Sequence, residues 1–167
     1  MPSKLNGLNM TGSIKDENKR NKEKRYLLIL PCSKKKREVA AARAIDLYNG
    51  PFYQILRKHG TPNLDVLILS AKHGLIEADE IIYLYDQKMT KERAQELSES
   101  VRKKLEMVIT TNHYEEILVN LGTIYMAALN RSKNTLGRYN VSYASGRIGE
   151  RIKQLKEWLS NVYQDRC

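Results

Sequence analysis

At 167 residues the chain has the length of one ordinary domain and can bury a sizeable core without disulfide or metal staples, which excludes a multidomain machine. Hydrophobic residues make up 41% and charged residues 29%, and no apolar run nears the roughly 20 residues that span a bilayer, so neither a disordered chain nor a helical membrane protein fits. Lys and Arg number 29 against 19 Asp and Glu, a net charge of +10 that favours a polyanionic partner: nucleic acid or a phosphorylated ligand.

Residues 1–24 are rich in Asn, Lys and Glu and show no apolar period, so they read as a flexible basic tail ahead of a single α/β domain over 25–167. The tail has no signal-peptide apolar segment, and a cytoplasmic location is expected, with no membrane partner. Cys32 and Cys167 are read as free thiols, and two Cys and three His at no ligand-like spacing predict no metal and no cofactor.

The domain opens on the apolar run 26–30, ended by Pro31, which predicts a strand buried on both faces. Residues 38–48 have helical composition up to the stop at Asn49 and Gly50, and Pro51 then suits the first turn of a second short helix ending at Gly60. Residues 64–69 form the second buried strand and run directly into the polar loop 70–75; the five residues 81–85 fit a short edge strand or an extended segment equally.

From Thr90 as N-cap, a helix is predicted to about Asn112, with Ala94, Leu97, Val101, Leu105 and Val108 on one stripe. A third buried strand over 117–121 is followed by Gly122 and a helical stretch over 123–133. A further strand is read at 139–143, and a last helix carries Ile148, Ile152, Leu155, Leu159 and Val162 on one face. Buried strands alternating with amphipathic helices predict a three-layer α/β domain, with a mostly parallel sheet and helices on both faces. Ligands of such sheets bind outside the carboxyl ends of the strands, so the loops after Leu30, Leu69 and Leu121 should share one rim.

Those loops hold the candidate chemistry. In the first, Cys32 and Ser33 precede four consecutive cations, Lys34 to Arg37, a composition that holds phosphate without the glycines of a Walker loop. Cys32 is either a nucleophile or a small core residue, and the cations are either ligands or a solvated cluster. In the second, Ser70, Lys72 and His73 crowd together, His73 suiting an acid or base and Lys72 an anion clamp, with a structural hydrogen-bonding histidine as the alternative. Asp46, beside Tyr48 at a predicted helix end, needs a compensating partner, for which Lys36, Lys72 or a ligand hydroxyl qualifies; Tyr85 and Asp86 form a similar pair.

Taken together, PCSKKK at 31–36, AIDLYNGPFY at 44–53, LILSAKHGLI at 67–76, Tyr85 with Asp86, and GTIYMAAL at 122–129 resemble an uncharacterised family of small bacterial, archaeal and phage domains marked by its SAKHGL loop. The resemblance spans about residues 26–160. That family is distantly similar to the YaaA peroxide-stress proteins and to a domain of archaeosine synthase with a Pro-Cys-Ser-x-x-Lys loop, here Pro31, Cys32, Ser33 and Lys36. The resemblance implies a setting of nucleic acids or modified bases. It marks Cys32, Ser33, Lys36, Asp46, Tyr48, Ser70, Lys72, His73, Tyr85 and Asp86 as one site, with Gly122 and Tyr125 from a third loop.

Three functions are expected in order of preference. The first is an enzyme acting on a nucleoside, nucleotide or nucleic-acid base. In it Ser33, Lys36 and Lys72 hold phosphate, with Asp46 and His73 serving glycosidic chemistry or Cys32 serving amide or amidine chemistry on a modified base. The second is a DNA- or RNA-binding module without catalysis, and the third a nucleotide-sensing partner subunit.

Overall fold

The computed structural model describes residues 23–165; most of the basic tail and the Cys167 thiol lie outside the described residues. In chain order the elements are β1 (Arg25–Pro31), β2 (Ala41–Arg43), α1 (Ala44–Leu47), α2 (Pro51–His59), β3 (Leu64–Ser70), β4 (Gly74–Glu77) and β5 (Ile81–Tyr83). Then follow α3 (Lys91–Thr111), β6 (Tyr114–Val119), α4 (Thr123–Met126), α5 (Lys133–Leu136), β7 (Val141–Tyr143) and α6 (Ile148–Gln164).

Five strands form one sheet in the order β4-β3-β1-β6-β7, in which β3, β1, β6 and β7 run parallel and β4 folds back antiparallel on β3. β1 is central, and its inner residues Leu27, Leu28, Ile29 and Leu30 are apolar and all fully buried, as a strand with neighbours on both edges and a helical layer on both faces requires. Successive side chains of a strand point to opposite faces. Leu27 and Ile29 accordingly join a core with Ala94, Leu97, Val101 and Leu105 of α3. Tyr26, Leu28 and Leu30 join a second core with Leu47, Phe52 and Leu56 of α1 and α2 and with Leu155 and Leu159 of α6. The result is a single α/β domain with a mostly parallel sheet between two helical layers.

α3 begins where the sequence places it, with the Thr90 hydroxyl accepting from the Arg93 amide at 3.1 Å. Other expectations are corrected. Residues 38–48 are not one helix: Ala41–Arg43 pair antiparallel with Ile81–Tyr83 as a separate two-stranded ribbon, and only the turn Ala44–Leu47 is helical. Long-range pairing overrides the helical preference of the alanines. Of the 81–85 segment, Ile81–Tyr83 is thereby a strand and 84–85 lie beyond its end, and the 70–75 loop is a tight turn into β4, in which Gly74 takes φ +75°. The stretch 123–133 breaks into α4, a 3-10 turn (Ala127–Leu129) and the separate α5. Ile148 leaves the buried stripe of α6 and is 52% exposed.

The chain leaves β1 toward β3 on one side and later returns through α3 to β6 on the other. The connections therefore diverge between β1 and β6, and the crevice outside that point is where open α/β sheets bind ligands.

Candidate functional site

The loop after β1 is held in shape by its own backbone. The Cys32 amide donates to the Leu69 carbonyl at 2.9 Å, Arg37 N to Leu47 O at 2.8 Å and Asn49 N to Lys35 O at 2.9 Å, which fastens residues 35–37 against 47–49. The Ser33 hydroxyl accepts from the Gly50 amide at 3.3 Å and donates to the Lys35 carbonyl at 2.5 Å. A Cβ on Gly50 would lie 2.9 Å from Ser33 Cβ, so only glycine permits this approach. Ser33, expected to hold phosphate, spends its proton on the loop itself and lines the site as part of its wall.

Five of the expected residues, Lys36, Tyr48, Ser70, Lys72 and His73, meet around a sixth, Tyr85. Ser70 Oγ accepts from the Lys72 and His73 amides at 3.2 and 3.1 Å, which occupies both its lone pairs. Its own proton therefore goes to Tyr85 Oη, 2.9 Å away, and Tyr85 Oη lies 2.6 Å from Tyr48 Oη. The Lys36 and Lys72 ammonium groups stand 4.6 and 5.8 Å from the Tyr85 ring centroid, and the His73 ring meets it edge-on at 5.4 Å. Burial raises the Tyr85 hydroxyl well above the ordinary value of 10 and the Tyr48 hydroxyl to about 12, so both stay protonated at neutral pH. Burial first, and then the Lys72 charge, lowers His73 below 6.5, so it is neutral at pH 7.

Asp46 is not brought into this cluster. Its carboxylate accepts from Arg43 Nε at 2.7 Å, one turn back, and lines none of the cavities at the rim. The compensating partner it needs comes from the neighbouring strand β2, not from Lys36 or Lys72. Asp86 is exposed at the edge of the smaller of two adjoining chambers.

These chambers occupy the divergence point of the sheet. The larger, about 620 Å³, lies between the loop after β1, the start of α2, Gly122 to Tyr125 and the first turn of α6. The smaller, about 380 Å³, opens toward Lys36, Asp86 and Met89. Cys32, Ser33, Lys34, Ile124 and Tyr125 line both, and Cys32 Sγ lies 3.3 Å from Tyr125 Oη on the ridge between them. The half-buried Cys32 thus faces ligand space on two sides.

Sequence reasoning missed Phe52, Ile148 and Arg151, which complete the larger chamber. Arg151 carries the one signal that was available: it is a cation in the first turn of a helix, where the macrodipole disfavours positive charge. Among the described residues, none of Lys34, Lys35, Lys36, Lys72 and Arg151 sits in an ion pair, while cations elsewhere on the surface, such as Arg102 and Lys104, do. Also among the described residues, no group of three or more His, Cys, Asp or Glu is placed to hold a metal ion, and no helix is long and apolar enough to cross a membrane. What the arrangement offers is unpaired positive charge, aromatic edges and faces, neutral hydroxyl and imidazole groups, and one accessible thiol.

Comparison with curated proteins yields no match. Among solved structures the chain is similar to the crystal structure of AF0587, a protein of unknown function, at a TM-score of 0.52 and 15% identity. The match covers 86% of this chain and 49% of that one, so the present chain spans about half the length of that protein, and the likeness is one of fold. Residues 27–157, nearly the whole of the sheet and its helices, match the family of unknown function DUF6884, and the chain belongs to that family.

Proposed function

We propose that the protein binds a nucleotide or nucleobase at the divergence point of its sheet and acts on the base through Cys32. The observation that carries this reading is the position of the Cys32 thiol on the ridge between two chambers walled by aromatic rings and unpaired cations. Aromatic walls suit a planar base, and cations free of carboxylate partners suit its phosphate. Further support is the similarity of Pro31, Cys32, Ser33 and Lys36 to the loop of archaeosine synthase, and the wider similarity to YaaA proteins, both set among nucleic acids and modified bases.

Of the two chemistries considered from sequence, the position of Asp46 favours the cysteine route over the glycosidic one. In that route the thiol adds across a polarised C=O or C=N bond of the base. The S–C bond forms, the π pair moves to the heteroatom, and the thiol proton follows it; no second reagent is needed to reach this adduct. Neutral His73 and the hydroxyl chain Ser70, Tyr85 and Tyr48 stand on the same rim to orient the ligand.

The test is a thermal-shift screen of the full chain against nucleosides, nucleotides, deazapurine bases and short DNA and RNA, followed by mass analysis of the protein and of the ligand. The expected result is stabilisation by a base-containing small molecule, with an adduct or product that Cys32→Ala abolishes while binding persists. The net charge of +10 favours the second reading, a non-catalytic nucleic-acid-binding module. Stabilisation by polymers alone, lost steeply with salt and indifferent to Cys32, would establish that reading instead.

A further inference from the structure

We propose that Arg151 is the anion anchor of the larger chamber, seating one oxyanion, phosphoryl or carboxylate, of a ligand whose body is apolar or aromatic. The nucleotide form of this proposal rests on the reading above; the anion site itself does not.

A guanidinium cannot shed its charge under ordinary conditions, and burying it without a counter-charge is costly. Arg151 Nε and Nη1 are nevertheless both buried without a hydrogen-bond partner, and the guanidinium reaches the wall of a 620 Å³ cleft. Its guanidinium lies against the Phe52 ring, whose centroid is 5.5 Å from Cζ. The nearest acid in sequence, Glu150, is already occupied, its carboxylate accepting from the Arg147 amide at 2.9 Å to cap α6.

The backbone that carries Arg151 is itself fixed. The fully buried Asn120 donates from Nδ2 to the Arg151 carbonyl at 3.0 Å, tying the helix turn to the end of β6. Gly122 leaves space beside the guanidinium, for a Cβ there would stand 3.4 Å from Nη2. The first turn of α6 adds its own positive potential to that of the side chain. Apart from the Phe52 ring, the surroundings therefore oppose the charge, and an incoming oxyanion would offset that opposition. Much of the remaining wall suits the ligand's body: Phe52, Ile124, Tyr125 and Ile148 are apolar or aromatic, which favours an occupant with an apolar or aromatic part beside its oxyanion.

The experiment measures binding by calorimetry and melting temperature for the full chain with inorganic phosphate and two matched pairs, benzoate against benzamide and adenosine monophosphate against adenosine. In the wild type the anion of at least one pair should bind and its neutral partner bind far less. Arg151→Met should weaken the anion about 10- to 100-fold, the span of a charge-assisted contact, and leave the ligand-free protein as stable or more so, because an unpaired buried charge is gone.

Ile148→Glu supplies a second variant that keeps Arg151. Position 148 lines the same cleft, is 52% exposed and lies three residues earlier on α6, so its carboxylate should pair with the guanidinium, raise the melting temperature and block added anions. Anion binding that both variants leave unchanged, or no anion preference in either pair, overturns the proposal. Benzoate or phosphate binding that depends on Arg151, with neither adenosine compound bound, upholds the anchor and removes the nucleotide reading. Equal binding of adenosine and its monophosphate, unaffected by Arg151→Met, upholds the nucleobase reading and removes the anchor.

Discussion

Tyr85 organises the rim because its two parts serve different neighbours: its hydroxyl meets Ser70 and Tyr48, and its ring meets Lys36, Lys72 and, edge-on, His73. His73 is the member that titrates near neutrality, and its environment sets the sign. Burial and Lys72 hold its pKa below 6.5 in the fold, so as pH falls the unfolded chain takes the proton first. The stability this residue contributes is full above pH 6.5 and is lost as pH drops below it. Melting curves between pH 8 and 5.5 should therefore show a modestly shallower acid loss for His73→Gln than for the wild type; a steeper loss would mean that the protonated ring is the stabilised form. Most of this cluster was legible as polar residues at strand ends. Asp46 was not, since the strand β2 that delivers Arg43 to it is itself invisible in an alanine-rich segment.

Among the elements, α3 is the one whose local signals and packing agree throughout. Its cap, its stripe of Ala94, Leu97, Val101, Leu105 and Val108, and its burial against β1 and β6 all coincide. Thr90→Ala removes the hydroxyl that accepts from the Arg93 amide and should cost about 1 kcal/mol, which for a domain of this size lowers the melting temperature by about 2–4 °C. No change on calorimetric melting would mean that water or a neighbouring group caps the helix equally well. The short elements behave differently. α1, α4 and α5 have four residues each, too few to show a period, and exist because flanking segments hold them in place.

For the molecule as a whole, β1 contributes to both cores and forms one flank of the divergence point, with β6 as the other. Leu28 is fully buried between Val66 of β3 and Leu118 of β6 in register, and Leu28→Ala should lose about 2–5 kcal/mol on urea unfolding, one of the larger single costs in this chain. A loss under about 1 kcal/mol would show that the sheet's centre repacks freely. The class of fold, the buried strands, α3 and the common rim of three loops were all legible in the amino-acid order, because those features follow from local periodicity and from the chirality and geometry of parallel strands. The strand order, the β2–β5 ribbon, the β4 return, the separation of Asp46 from Tyr85, and the meeting of Arg151 and Cys32 in the wall of one chamber came from the tertiary structure alone. Each of these depends on which distant side chain or strand arrives as a neighbour. Local preference is worth tenths of a kcal/mol per residue, and a paired strand or a buried charge contact outweighs it.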